Sequence, residues 1–107
     1  MIDFYIEAHS RISNFPKREQ YTLGKRIEDL ILEIISLAVL ARAKNGRSEL
    51  LIVEKIDVHL KEIMILLRIS EKIKSLKTAG YTVLSKKLIE LGKIIGGWIK
   101  NMKAKND

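Results

Sequence analysis

Apolar residues recur along this chain at steps of three and four, the period of a helix with one buried face. Four helical segments follow from that pattern. The first spans about Asp3 to Asn14. Asp3 can cap it, Phe4, Ala8 and Ile12 share one stripe with Phe15 just beyond, and Pro16 ends it because the residue before a proline is pushed out of the helical region. A second begins near Tyr21-Thr22, with Thr22 as its expected cap, and runs to about Lys44. Leu23, Ile27, Leu30, Ile31, Ile34, Leu37, Ala38 and Ala41 make its buried face, and Leu32, Ile35, Val39 and Leu40 form a second apolar flank. Asn45-Gly46 stops it, since glycine takes the left-handed conformation at low cost. A third helix runs from Ser48 to about Lys74. Its main stripe is Ile52 or Val53, then Ile56, Leu60, Ile63 and Leu67, continuing to the small Ser70, with Met64, Leu66 and Ile73 on a second flank. After a Ser75–Thr78 connection capped by Thr78, the fourth runs from about Ala79 to Met102 on a seam of Leu84, Leu88, Leu91, Ile95, Trp98 and Met102.

Short connections make successive long helices antiparallel neighbours. The expected fold is all-α: an antiparallel up-down four-helix bundle with a short first helix, one domain over 1–103, and a frayed tail over 104–107. Helices two and three are apolar over more than one stripe, whereas a small monomeric bundle needs one buried face per helix. That excess predicts self-association; the alternative is exposed aliphatics of no consequence.

The fourth helix contains Gly92, Gly96 and Gly97, each costing about 1 kcal/mol relative to alanine in a helix. Close helix packing is the expected offset, with a bend or a partner's approach as the alternative at Gly97. Trp98, on the seam, reads as a core anchor or as an interface anchor.

Charge adds a direction to this picture. Residues 1–60 hold nine bases and nine acids, while residues 61–107 hold eleven bases and four acids, so the whole net charge of +7 lies in the second part. A concentrated positive field favours an anionic partner, most often nucleic acid; the alternative is a solvated lysine-rich surface. Arg68 interrupts the most apolar part of helix three, and Lys61, Arg68 and Lys72 share a face at steps of seven and four. An arginine there suits phosphate, or else pairs with Glu28, Asp29 or Glu33 of helix two. Helix four adds Lys86, Lys87, Lys93, Lys100 and Lys103. Cations on rigid helices without interleaved aromatics favour phosphate contact over base stacking, hence salt-sensitive binding with little base readout.

Other classes find little support. There is no cysteine, and the two histidines, His9 and His59, fall on separate helices, so no metal or cofactor site is expected. No phosphate-binding glycine loop occurs, and neither histidine follows an arginine at the spacing of a helical Arg-x(4–6)-His ribonuclease. No catalytic residue is assigned. No apolar run approaches the roughly 20 residues of a membrane span. The start, MIDFYIEAH, lacks the basic opening of a secretory signal, which makes a soluble cytoplasmic protein the expectation.

Two stretches carry a family resemblance. One is Phe15-Pro16-Lys17-Arg18-Glu19-Gln20-Tyr21-Thr22-Leu23-Gly24-Lys25-Arg26-Ile27. The other is Leu66-Leu67-Arg68, followed by Leu91-Gly92-Lys93-Ile94-Ile95-Gly96-Gly97-Trp98-Ile99-Lys100. Their order resembles the accessory variability determinant (Avd) proteins of diversity-generating retroelements, within a wider four-helix-bundle family that includes proteins encoded in ribosomal RNA intervening sequences. The resemblance covers nearly the whole chain. It implies a non-catalytic protein that forms a pentameric ring with a basic surface, binds the element's reverse transcriptase and template RNA, and supports mutagenic cDNA synthesis and retrohoming. The family's basic position after Leu-Leu corresponds to Arg68, with Lys72 one turn on. Together with the charge pattern, the expected RNA contacts are Arg68, Lys72, Lys86, Lys93 and Lys100. Gly92, Gly96, Gly97 and Trp98 are expected in packing or at an interface. The runner-up is an intervening-sequence-type scaffold without a polymerase partner.

Overall fold

The computed structural model describes the backbone of residues 1–106 and the side chains of residues 1–105. Its elements are α1 (Ile2–Ile12), α2 (Lys17–Glu19), a π-helical segment (Gln20–Gly24), α3 (Lys25–Arg42), α4 (Gly46–Lys72) and α5 (Thr78–Asn106). Because α2, the π segment and α3 run on without a break, four rods result, and no strand occurs among the described residues. Helix α4 packs along both α3 and α5, and α1 bridges α3 and α5, so α1 and α4 face each other across the bundle diagonal. The expected all-α bundle is the observed one, drawn out to 47 × 21 × 19 Å.

The predicted stripes form the core. Phe4, Ala8 and Ile12 of α1, Ile27, Leu30, Ile31 and Ile34 of α3, Ile56, Leu60, Ile63 and Leu67 of α4, and Leu84 and Leu88 of α5 are buried together. Each such side chain contributes about 1.5–3 kcal/mol of transfer free energy. Beyond the start of α1 the bundle has three rods. There a smaller cluster holds only Ala41, Val53 and Met102 fully buried, flanked by half-buried side chains that include Trp98 and Ile99.

The segment after Pro16 departs from the sequence expectation. The helix starts at Lys17 and not at Tyr21-Thr22, and Thr22 caps nothing; its Oγ1 donates to the Arg18 carbonyl at 3.3 Å, one turn back. The Lys25 N–H bonds the Gln20 carbonyl five residues back, which widens the turn. Gly24 explains the need for room: a Cβ there would lie 2.5 Å from Ile12 Cγ2 of α1. The Gln20 side-chain amide donates to the carbonyls of Ser13 (3.1 Å) and Phe15 (2.9 Å), pinning the α1–α2 turn over the buried Phe15 ring. Most of the Phe15–Gly24 motif is thus a corner piece that seats α1 on α3.

Other bounds shift by a residue or two. Met1 takes the N-cap position of α1 without a side-chain cap bond, and Asp3 falls inside the first turn, where its charge complements the helix dipole. Gly46 does take a positive φ of 60°, but as the first residue of α4, ahead of the expected Ser48. The α4–α5 turn also uses Lys74 at φ 66°, a left-handed non-glycine that no sequence signal marked. Thr78 is the first residue of α5, one position inside the expected cap. Helix α5 continues through Ala104 and Lys105 to Asn106, past the expected end at Met102; Asp107 lies outside the described residues.

Polar pairs tie the rods together. Glu28 of α3 accepts from the Tyr5 hydroxyl at 2.9 Å and meets His9 Nδ1 at 2.7 Å, both on α1, and the carboxylate pushes the Tyr5 hydroxyl above its usual range. Within single helices, Lys25–Asp29 and Lys61–Asp57 pair one turn apart at 2.6 and 2.8 Å. No described helix is long and apolar enough to cross a membrane.

Candidate nucleic-acid interface

Lys86, Lys93 and Lys100 recur at seven-residue steps, which keeps them on one stripe of α5. All three are exposed, and none makes an ion pair among the described residues. On α4, Glu54 marks the side turned to α5, because it pairs with Lys103 at 3.9 Å. Arg68 and Lys72 follow Glu54 by 14 and 18 residues, close to whole numbers of helical turns, so they return to that same side. Both are exposed and unpaired among the described residues. Arg68 and Lys72 therefore lie on the α5-facing side of α4, while Lys86, Lys93 and Lys100 form an exposed stripe along α5.

These positions keep their charge. Of the eleven bases in 61–107, only Lys61 and Lys103 have carboxylate partners among the described residues. The alternative of an Arg68 ion pair with helix-two acids is not realised. Glu28 is taken by Tyr5 and His9, Asp29 by Lys25, and Glu33 by His59. Exposed lysines and an arginine on rigid helices can accept successive phosphates by Coulombic attraction and counterion release.

The glycines need a correction. A Cβ built on Gly92, Gly96 or Gly97 meets nothing within 4 Å, so no element of this chain packs closely there. These positions lie outside the helix seam and leave α5 smooth next to its lysines. Trp98 is half-buried, not a central core residue. Its Nε1–H donates to Glu49 Oε2 at 2.8 Å, and the Arg42 guanidinium sits 6.0 Å from its ring centroid. It thus joins α5 to the ends of α3 and α4.

One polar cluster escaped the sequence reading. His59 is 8% exposed, with Nε2 3.1 Å from Glu33 of α3 and Nδ1 3.4 Å from Glu62 of α4; Glu62 also accepts from Arg26 at 3.2 Å. The two histidine contacts are close but poorly aligned as hydrogen bonds. The ring still holds the Glu33 carboxyl below its usual range. His59 stands three residues after Ile56 and four before Ile63, so its place on the buried stripe was legible. The acid across the interface was not. The cluster clamps α3 to α4. Among the described residues there is no group of three or more His, Cys, Asp or Glu that could hold a metal ion.

Comparison with curated proteins and with solved structures returns no match. The bAvd-like family, in contrast, matches residues 1–102, nearly the entire bundle. The resemblance noted in the corner motif and in the Leu-Leu-Arg and Gly-Gly-Trp-Ile-Lys elements thus extends over the whole fold. The chain belongs to the bAvd-like family and is an Avd-type accessory protein.

Proposed function

We propose that this chain is a non-catalytic accessory subunit of a diversity-generating retroelement. In this reading it acts in the cytoplasm as a homo-oligomer, a pentameric ring, that binds template RNA and the reverse transcriptase and so supports mutagenic cDNA synthesis and retrohoming. The observation that carries the RNA contact is the set of exposed cations on α4 and α5 that have no carboxylate partner among the described residues. Arg68 and Lys72 supply them on α4 and Lys86, Lys93 and Lys100 on α5. Contact is to phosphates, because these side chains present charge without aromatic platforms between them. The smooth strip at Gly92 and Gly96 lets a partner backbone come close beside the lysines. The family membership supports the retroelement setting.

The test is a titration of structured template RNA across a range of salt. Each phosphate contact contributes about 0.7–0.9 to the slope of log K against log salt. The double variant Arg68→Ala, Lys72→Ala lowers affinity and reduces that slope by about 1.5. Wild-type affinity in this variant, or RNA binding indifferent to salt, refutes the reading. Co-purification with the neighbouring reverse transcriptase checks the polymerase partner separately.

A further inference from the structure

Two turns meet at one end of the bundle around a polar depression of about 570 Å³. Arg11 of α1, Asn14 and Pro16 of the α1–α2 turn, and Lys74, Ser75 and Lys77 of the α4–α5 turn line it. Its volume is that of a site for a nucleotide-sized ligand. Neither the RNA contacts on α4 and α5 nor the His59 clamp uses these residues.

Arg11 is held from two sides. Its Nε and Nη2 lie 3.0 and 2.9 Å from Glu7 Oε1, one turn back on α1. Its Nη1 lies over Gly80 in the first turn of α5, where a Cβ would stand 2.9 Å from that nitrogen. Gly80 thus leaves the space that the guanidinium fills, and Nη1 keeps its donors free of any acceptor among the described residues. Lys74 has a φ of 66°, in the left-handed region that favours glycine, yet a lysine stands there. Lys74 and Lys77 are exposed and have no carboxylate partner among the described residues; Glu71, three positions before Lys74, pairs with neither. Only Glu7 offsets the three cations of the lining, so two positive charges remain. The Asn14 amide and the Ser75 hydroxyl also have no hydrogen-bond partner among the described residues.

Two uncompensated charges and two neutral polar groups around one hollow call for an anion of matching charge. A terminal phosphate carries about −1.5 to −2 at neutral pH and presents three acceptor oxygens, whereas a phosphate within a strand carries a single charge. We propose that this depression binds a terminal phosphate group, borne by a free nucleotide or by the end of a nucleic-acid strand. Arg11 Nη1, Lys74 and Lys77 supply the charge, Asn14 and Ser75 add neutral hydrogen bonds, and Pro16 gives the sugar or base an apolar wall. The site is separate from Arg68, Lys72 and the α5 lysines, and it stands whether or not those residues hold RNA.

Calorimetric titrations of the full chain test it. Adenosine 5′-monophosphate is compared with adenosine, and a short oligoribonucleotide phosphorylated at its 5′ or its 3′ end with the same strand bearing hydroxyls at both. The variant Lys74→Gly, Lys77→Gln removes two charges and relaxes the positive φ, so its helical circular dichroism is retained. The expected result is binding that requires the terminal phosphate and weakens about tenfold or more in this variant. Binding of the mononucleotide as tight as that of the phosphorylated strands identifies a free nucleotide as the source; binding of the phosphorylated strands alone identifies a strand end. Equal affinity for phosphorylated and unphosphorylated probes overturns the proposal, as does absence of binding by every phosphorylated probe. Phosphate-dependent binding that the variant leaves unchanged overturns it too. In Arg68→Ala, Lys72→Ala the preference for a terminal phosphate persists; its loss there moves the phosphate to the α4 cations and overturns the assignment to this depression.

Discussion

Replacing Gly92 and Gly96 with alanine stabilises the fold, whereas the same change at Gly24 destabilises it. In α5 the added methyl groups meet nothing within 4 Å. The gain is then the helix propensity difference alone, about 1 kcal/mol per site and about 2 kcal/mol for the pair. For a chain of this size, each kcal/mol shifts the midpoint of thermal unfolding by about 4–8 °C, so the double variant melts about 8 °C or more higher. At Gly24 the same propensity gain meets a 2.5 Å contact with Ile12 Cγ2, and Ile12 is itself buried with no room to retreat. Overpacking costs about 1–3 kcal/mol, which cancels or exceeds the gain, and the widened turn that seats α1 is strained as well. Thermal melts followed at the helical circular dichroism band, over a range of protein concentrations, separate these effects from any change in assembly. A drop in stability for Gly92→Ala, Gly96→Ala at all concentrations, or a rise for Gly24→Ala, refutes the packing argument. Should the stabilised α5 variant lose RNA or polymerase binding, the glycines serve a partner and not the bundle.

Further outcomes follow from single contacts. Trp98→Phe removes the 2.8 Å bond to Glu49 and lowers stability by about 1 kcal/mol in urea titrations, a charged hydrogen bond discounted for its partial exposure, while Glu49→Gln, which keeps an acceptor, costs less. Ile56→Ala, at a fully buried site, costs about 2–5 kcal/mol, whereas Val58→Ala, two residues on and exposed, stays within about 0.5 kcal/mol for the isolated subunit. His59 holds the Glu33 carboxyl below its ordinary value of 4.5, so the unfolded chain takes up that proton more readily than the folded one. The corresponding stability is present above the ordinary carboxylate range and is lost as pH falls through the lowered value. Urea midpoints measured between about pH 6 and about pH 3 decline less steeply for Glu33→Gln than for the wild type.

The helical period made the four rods and most of the core legible, because each buried stripe repeats every three or four residues over several turns. Phe4, Ala8 and Ile12, or Ile56, Leu60, Ile63 and Leu67, needed no tertiary information. Errors arose where a neighbour decides the outcome. Thr22 carries a good cap side chain, yet the helix had already begun at Lys17, since the approach of Ile12 to Gly24 fixes a π turn there. Gly92 and Gly96 looked like packing residues because their cost demands an offset, but sequence spacing alone does not tell an inner strip from an outer one. The basic candidates were legible as residues and in their seven-residue spacing on α5. Which side of α4 carries Arg68 and Lys72 depended on how α4 rotates against α5, which the Glu54–Lys103 pair reveals.

Helix α1 covers only part of the length of its three partners, and that has a mechanical consequence. Where it is present, fifteen buried side chains interlock; past its start, three do. The molecule is therefore stiff toward one end and compliant toward the other, and amide exchange grades from near-global protection around Ile31 and Ile63 to rapid opening near Leu51 and Lys100. A ligand that grips the compliant end can reshape it cheaply while the stiff end keeps its form.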